Sequence, residues 1–217
     1  MSQGQYLFRQ EDGEIKEAFT QIEGVSFKEN PLELFILLAR YKFAARLLEK
    51  NADVLDAGCG LGLGSVFLSK FSQHVTGIDF DQEMIQRNRN QYSDIPNLSF
   101  DFLDLTATPS DLKKFNTVVS LDVIEHFEEE KIPLVVNSLH KLTADNGFAI
   151  IGTPNIASQP YASTRRKESH LHEFEPDEFK NLLKSYFKNV FLFSMTDEVV
   201  SLSFNKMAWY LMALCTK

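Results

Sequence analysis

The stretch from Asp53 to Asp79, DVLDAGCGLGLGSVFLSKFSQHVTGID, constrains this chain more than any other. A short apolar run, Val54-Leu55, is closed by Asp56, and glycines follow at Gly58, Gly60, Gly62 and Gly64. Val66, Phe67, Leu68 and Phe71 then recur with helical spacing, and a second apolar run from Val75 to Ile78 ends in Asp79. This pattern predicts strand, glycine turn, helix and strand, one βαβ unit of roughly 30 residues. A chain leaving a strand for a helix must turn tightly, and glycines allow the turn while a ligand approaches the backbone without a Cβ in the way. The start of the helix offers unpaired N–H groups. An acid at the tip of the second strand can accept hydrogen bonds from both hydroxyls of a ribose. Together these features predict a nucleoside site.

The spacing of the glycines narrows the ligand. A pyrophosphate-binding fingerprint runs Gly-x-Gly-x-x-Gly at the helix N-terminus, and Gly60-Leu61-Gly62-Leu63-Gly64 lacks that spacing. A nicotinamide-dependent dehydrogenase is therefore disfavoured. Asp56 stands two residues before the first glycine, close to where a cationic group is welcome. In VLDAGCGLG the chain resembles the first motif of the class I S-adenosylmethionine-dependent methyltransferases, and in GIDFDQEM their second. The resemblance implies that Asp56 and the backbone of Gly58, Cys59, Gly60 and Gly62 face the amino-acid end of S-adenosylmethionine. It also implies that Asp79 holds the ribose, that Phe80 flanks the adenine and that Asp104 meets the adenine amino group, with Leu103 and Leu121 in the same cofactor set.

Composition sets outer bounds. A chain of 217 residues, 44% hydrophobic and 24% charged, is long enough to build one domain with a full core. Most of its 19 phenylalanines are expected in that core or lining a pocket. The net charge of −8 disfavours nucleic acid or an anionic membrane as a partner. The two cysteines, Cys59 and Cys215, fit a reducing compartment without a disulfide. With no signal-peptide pattern and no long apolar run, a cytoplasmic location is expected. The oligomeric state stays open.

Along the chain, residues 1–30 form a weakly patterned strap or flap, and 31–217 form the single catalytic domain. Asn30 reads as a cap with Pro31 at the first helical position, opening a helix to Lys50. Leu34, Leu37, Leu38, Tyr41, Ala44, Ala45 and Leu48 supply its apolar stripe. A polar helix from Gln82 to Gln91 and a third strand from Leu98 to Leu103 follow. Phe115–Leu121 is the fourth strand, Lys131–Leu142 a helix, Asp145-Asn146-Gly147 a turn and Phe148–Gly152 the fifth strand. Residues 156–169 read as an irregular loop, 176–186 as a helix, and 190–195 and 207–215 as the final two strands. Strands alternating with helices predict an α/β sheet covered on both faces. The resemblance makes it a Rossmann-like sheet of seven strands, mostly parallel, with a C-terminal antiparallel pair.

Methyl transfer from a sulfonium to a hydroxyl needs alignment and a base, and a neutral imidazole is the natural base at neutral pH. Of the five histidines, His126 follows the fourth strand, and His170 and His172 close the long loop after the fifth. These are the candidate bases. His74 and His140 read as structural. If the chain after Leu121 turns helical, Asp122, Glu125 and His126 lie at spacings of three and four, as metal ligands do on helices. A divalent-metal site at Glu125, His126 and His170 is thus the alternative, although no metal is the primary expectation. IEHF…GTPN…HLHEFE also resembles the small-RNA 2′-O-methyltransferases that hold magnesium through two glutamates and two histidines, but Asp122 stands where a glutamate is expected. Over residues 50–190 the resemblance is nearer to small O-methyltransferases of natural products, sugars and quinones. The expected substrate is accordingly a small molecule or glycan precursor. A cofactor-binding regulatory module without turnover is the remaining alternative, and Arg165-Arg166-Lys167 reads as a solvated patch or an anion clamp.

Overall fold

The computed structural model describes residues 8–9, 15–16, 31–107, 112–202 and 205–217. Within 1–30 it describes only a two-residue antiparallel pairing of β1 (Phe8–Arg9) with β2 (Ile15–Lys16), so the flap or strap and the Asn30 cap lie outside the described residues. The chain divides into two compact units, Met1–Leu38 and Ala39–Lys217, and helix α1 (Pro31–Leu47) begins in the first and ends in the second. The architecture that follows belongs to the second unit.

Strand β3 (Asp53–Ala57) leads through the glycine turn to α2 (Leu63–Ser69), β4 (His74–Asp79), α3 (Gln82–Gln91) and β5 (Leu98–Phe102). Next come β6 (Phe115–Leu121), a 3₁₀ turn at Ile124–His126, α4 (Ile132–Leu142) and β7 (Thr143–Pro154). A 3₁₀ helix at Ile156–Tyr161, α5 (Thr164–Ser169), α6 (Pro176–Lys184), β8 (Asn189–Met195), β9 (Val200–Ser201) and β10 (Tyr210–Thr216) complete the chain. One eight-stranded sheet results, in the order β5-β4-β3-β6-β7-β10-β8-β9. β5 through β7 pair in parallel, and β10 runs antiparallel between β7 and β8.

Local chemistry explains these elements. β6 is buried at every position but Asn116, as a parallel strand covered on both faces requires. α4 buries Ile132, Val135, Val136, Leu139 and Leu142, the three- and four-residue spacing of one helix face. α6 adds Phe179 and Leu183 to the same core. α3 starts where the Asp81 carboxylate accepts from the amides of Glu83 and Met84, at 2.9 and 3.0 Å. The strand order reverses between β4-β3 and β6, so the carboxyl ends of these strands open the crevice where such sheets bind ligands.

Four expectations need correction. The sheet has eight strands, because Val200–Ser201 adds an edge pairing to β8 too short to stand out in the sequence. β7 begins at Thr143 and absorbs the turn expected at 145–147, with a register shift opposite Phe115–Thr117 taking up the irregularity. The last strand starts at Tyr210, and Met207 lies in a 3₁₀ turn. The irregular loop of 156–169 is mostly helical, carried by Ile156–Tyr161 and α5.

The second half of α1 buries Tyr41, Ala44 and Ala45, and the Phe43 ring meets Phe193 of β8 at 5.0 Å between centroids. Tyr41 lies against Gly64 so closely that a Cβ there would sit 1.9 Å from its ring. Gly64→Ala is therefore expected to push Tyr41 out of place and destabilise the chain by about 1–3 kcal/mol, the usual cost of overpacking. Urea unfolding checks this. A midpoint equal to that of the parent would show that the ring moves at no cost.

Candidate active site

The crevice at the strand ends holds a pocket of about 630 Å³, walled by Gly58, Gly60, Asp79, Phe80, Leu103, Asp104, Asp122 and His126 among others. Its size is that of an ordinary small-ligand site. The floor is the β3–α2 turn, where Gly58, Gly60 and Gly62 all take positive φ, at 78°, 49° and 83°. At Gly58 a Cβ would strike Val123 at 2.3 Å, whereas around Gly60 nothing lies within 4 Å of one. The open space at Gly60 lets a ligand reach the backbone.

Hydrogen bonds from three sides hold the turn. The amides of Gly58 and Cys59 both donate to the Ile78 carbonyl, at 2.8 and 2.9 Å. Gly60 N–H donates to Asp79 Oδ2 at 3.0 Å, and the Asn88 amide donates to the Gly60 carbonyl at 2.7 Å. Tyr92 Oη donates to the Leu61 carbonyl at 3.2 Å. Nothing in the sequence marks Asn88 or Tyr92, because a polar residue on or beside a helix gives no sign of which loop it reaches. Asp104 lines the pocket and also accepts from the amide and hydroxyl of Thr106, at 2.8 and 2.7 Å. Phe80 is 73% exposed on the pocket wall, an aromatic face free to meet a planar ring.

Asp56 is turned the other way. Its carboxylate is fully buried, accepting from Ser65 Oγ at 2.6 Å and Tyr41 Oη at 3.2 Å, and the residue is absent from the pocket wall. Cys59, Gly62 and Leu121 also stand behind that wall rather than in it. Burial raises the Asp56 carboxyl to about 6, against the lowering effect of its two hydroxyl partners.

At the end of β6, Asp122 adopts φ 58°, the only non-glycine positive φ among the described residues. Its amide donates to the Gly152 carbonyl and to Tyr210 Oη, both at 3.1 Å, and its carboxylate is ion-paired with Arg40. The Arg40 guanidinium lies 3.7 Å from the centre of the Tyr210 ring. Burial opposes the Arg40 charge, but Asp122 and Tyr210 together hold its pKa above the ordinary value. The one clue to Arg40 in the sequence is its position, three after Leu37 and four before Ala44, a cation inside an apolar stripe.

The 3₁₀ turn that follows carries Glu125 and His126. Glu125 is fully buried; Oε2 accepts from Thr153 Oγ1 at 3.1 Å, and Oε1 has no partner. Burial first, and then the Asp122 charge, push its carboxyl well above the usual range. His126 lines the pocket, with Nδ1 2.9 Å from the Ser169 carbonyl. Since that carbonyl only accepts, the neutral ring carries its hydrogen on Nδ1 and its lone pair on Nε2. The His170 ring meets His126 edge to face at 4.9 Å, and its Nδ1 is 2.7 Å from Glu173. Partial burial, helped by the neighbouring His126 and Arg166, lowers the His170 pKa against the raising effect of Glu173. One ligand atom each from Glu125, His126 and His170 come within 4.8 Å of one another. His172 stays outside this group, its Nε2 bonded to Glu178 at 2.8 Å and its ring on Phe174. Arg166 points inward to Glu173 and Ser158 instead of forming a solvated patch or clamp. The Arg165 side chain lies outside the described residues.

Residues 54–147 match the family model described as a methyltransferase domain. A probable S-adenosylmethionine-dependent methyltransferase of Mycobacterium tuberculosis is 28% identical over 132 residues, 60% of this chain and 46% of that protein. The ubiquinone biosynthesis O-methyltransferase of Rickettsia akari is 28% identical over 140 residues, 64% of this chain and 55% of that protein. The chain thus spans about half the length of these curated relatives. Among solved structures, the methyltransferase domain of bacterial CtHen1-C superposes with a TM-score of 0.67 at 20% identity, covering 83% of this chain and 98% of that one. Magnesium protoporphyrin IX methyltransferase from Synechocystis gives 0.64 at 14% identity, covering 93% and 90%. Residues 54–147 thus carry a methyltransferase domain, and these likenesses together support a class I S-adenosylmethionine-dependent methyltransferase. Among the described residues no helix is long and apolar enough to cross a membrane.

The raised Asp56 pKa carries a sign. The fold holds this proton more tightly than the unfolded chain, so the stability the group contributes is complete below about pH 4 and is lost as pH rises through about 6. Above that the buried charge costs on the order of 3 kcal/mol. Asp56→Asn has no proton to lose, and its urea midpoint is expected to gain on that of the parent between pH 4 and pH 7.5. Midpoints that stay parallel across this range would refute the assignment.

Proposed function

We propose that the chain transfers a methyl group from S-adenosylmethionine to a hydroxyl of a small molecule or glycan precursor, with His126 as general base. The observation that carries this reading is His126 itself, the histidine in the wall of the glycine-turn pocket, held so that its Nε2 keeps a lone pair. The residues present suit the cofactor. Gly60 leaves its backbone open, Asp79 stands at the tip of β4 for a ribose, Phe80 offers an exposed ring and Asp104 a carboxylate for an adenine. Bound there, S-adenosylmethionine would supply an electrophilic methyl on a positively charged sulfur. His126 takes the proton of the acceptor hydroxyl as its oxygen gains the methyl. The names of the ubiquinone and magnesium protoporphyrin methyltransferases support a small acceptor. The net charge of −8 weighs against RNA.

The unpartnered Glu125 Oε1 favours a second reading, in which Glu125, His126 and His170 hold a divalent cation that polarises the hydroxyl. A regulatory module without turnover has no use for an imidazole in its pocket wall.

Calorimetric titration with S-adenosylhomocysteine is expected to show binding that falls at least tenfold in Asp79→Ala, about 1.4 kcal/mol. His126→Asn should keep that affinity within about twofold and lower turnover of an accepted hydroxyl compound by 10²–10⁴, the usual share of a general base. Titration with manganese, followed by electron paramagnetic resonance, separates the readings. Binding that disappears in Glu125→Gln supports the cation, and no binding leaves His126 as the base.

A further inference from the structure

One short segment, Ser163 to Glu173, holds the reactive turn in place. Its Ser169 carbonyl meets His126 Nδ1, and the amides of Leu171 and His172 both donate to the Glu125 carbonyl, at 2.8 and 3.2 Å. The same segment brings His170 against His126. What fixes the segment is Arg166. Its Nε and Nη2 donate to the two oxygens of Glu173 at 2.7 and 3.0 Å, and Nη2 also donates to Ser158 Oγ at 2.9 Å. Only 2% of the Glu173 side chain is exposed. A buried carboxylate clamped on both oxygens by a guanidinium cannot swing to another partner without stranding a charge. The third bond to it comes from His170 Nδ1, on Oε1 at 2.7 Å.

We infer that Glu173 is the positioning residue of this site: clamped by Arg166, it fixes His170 as the Nδ1–H tautomer and leaves the Nε2 lone pair of that ring for chemistry beside His126. A lone pair on Nδ1 would face a carboxylate oxygen, acceptor against acceptor, so the opposite tautomer is excluded while Glu173 stays in place. The same principle is at work wherever a carboxylate orients a reactive or metal-bound imidazole. The two histidines are thus set by different means, His126 by a backbone carbonyl and His170 by a side chain. Only the second can be edited by substitution. The inference rests on the reading of His126 as the base, against whose ring His170 packs, and it assigns Glu173 no contact with substrate.

The test is nitrogen-15 NMR of the full chain labelled at histidine, at pH 8, with Glu173→Leu alongside the parent. In the parent, His170 is expected to be Nδ1–H by tenfold or more, in keeping with a hydrogen bond to a charged group. In Glu173→Leu, which offers His170 no acceptor, the tautomer ratio should move at least tenfold toward Nε2–H. A parent His170 found as Nε2–H overturns the inference even if the variant fails to fold, and so does a folded variant whose His170 ratio is unmoved. Titration of the same samples with S-adenosylhomocysteine serves as the control. Failure of the parent to bind it would overturn the cofactor reading and leave the His170 tautomer result standing.

Discussion

Two backbone amides donating to one carbonyl set the shape of everything around the pocket. With Gly58 N–H and Cys59 N–H both on Ile78 O, the chain leaving β3 is drawn over the end of β4 and cannot proceed directly into a helix. It must pass through three left-handed residues before α2 can start at Leu63. A side chain at Gly58 or Gly62 would meet Val123 or the rings of Tyr92 and Phe100, so the turn is closed by sterics as well as by hydrogen bonds. Asp79 and Asn88 then tie Gly60 to β4 and α3. The pocket floor is therefore common property of β3, β4 and α3, and a change in any of them is felt there.

This explains what was legible in the sequence and what was not. Glycine at a left-handed turn, an acid at a strand tip and a helix face at three- and four-residue spacing are local requirements, and each leaves its mark where it acts. Hence the βαβ unit, the parallel half of the sheet, α4 and the pocket positions of Asp79, Phe80, Asp104 and His126 could be read directly. Partnerships across long separations leave no such mark. Arg40 finds Asp122 82 residues away, and His126 finds the Ser169 carbonyl 43 residues away. Asp56 sits where the glycine motif leads one to expect a cofactor contact, yet Tyr41 and Ser65 claim both of its oxygens. Arg166 reads as surface because its neighbours Arg165 and Lys167 are basic, while its guanidinium is needed by a glutamate seven residues on. His170 and His172, equal candidates by position, are separated by their acidic partners, Glu173 and Glu178.

Asp122 and Glu125 compete for Arg40 at the acidic edge of the pocket. Both lie near the part-buried Arg40 guanidinium, and the ion pair is with Asp122. Asp122 reaches it by adopting a left-handed backbone, tolerated by aspartate more readily than by most side chains. Tyr210 stabilises the arrangement twice, through its hydroxyl on the Asp122 amide and its ring beneath Arg40.

Glu125 is left with one oxygen on Thr153 and the other buried and unmatched, and one of its carboxylate oxygens lies within 4.8 Å of a ring nitrogen of both His126 and His170. Such a constellation is short of hydrogens. In a medium of low dielectric an unmatched carboxylate oxygen is costly, and the raised pKa of Glu125 is one response to that cost. A hydroxyl donor or a cation entering the site is another. The imidazole lone pairs and the carboxylate thus make the same demand on a ligand, a positively polarised hydrogen or a positive charge. That demand connects the two readings of the chemistry, since a hydroxyl giving its proton to His126 and a cation bound at Glu125 satisfy the same unfilled acceptors.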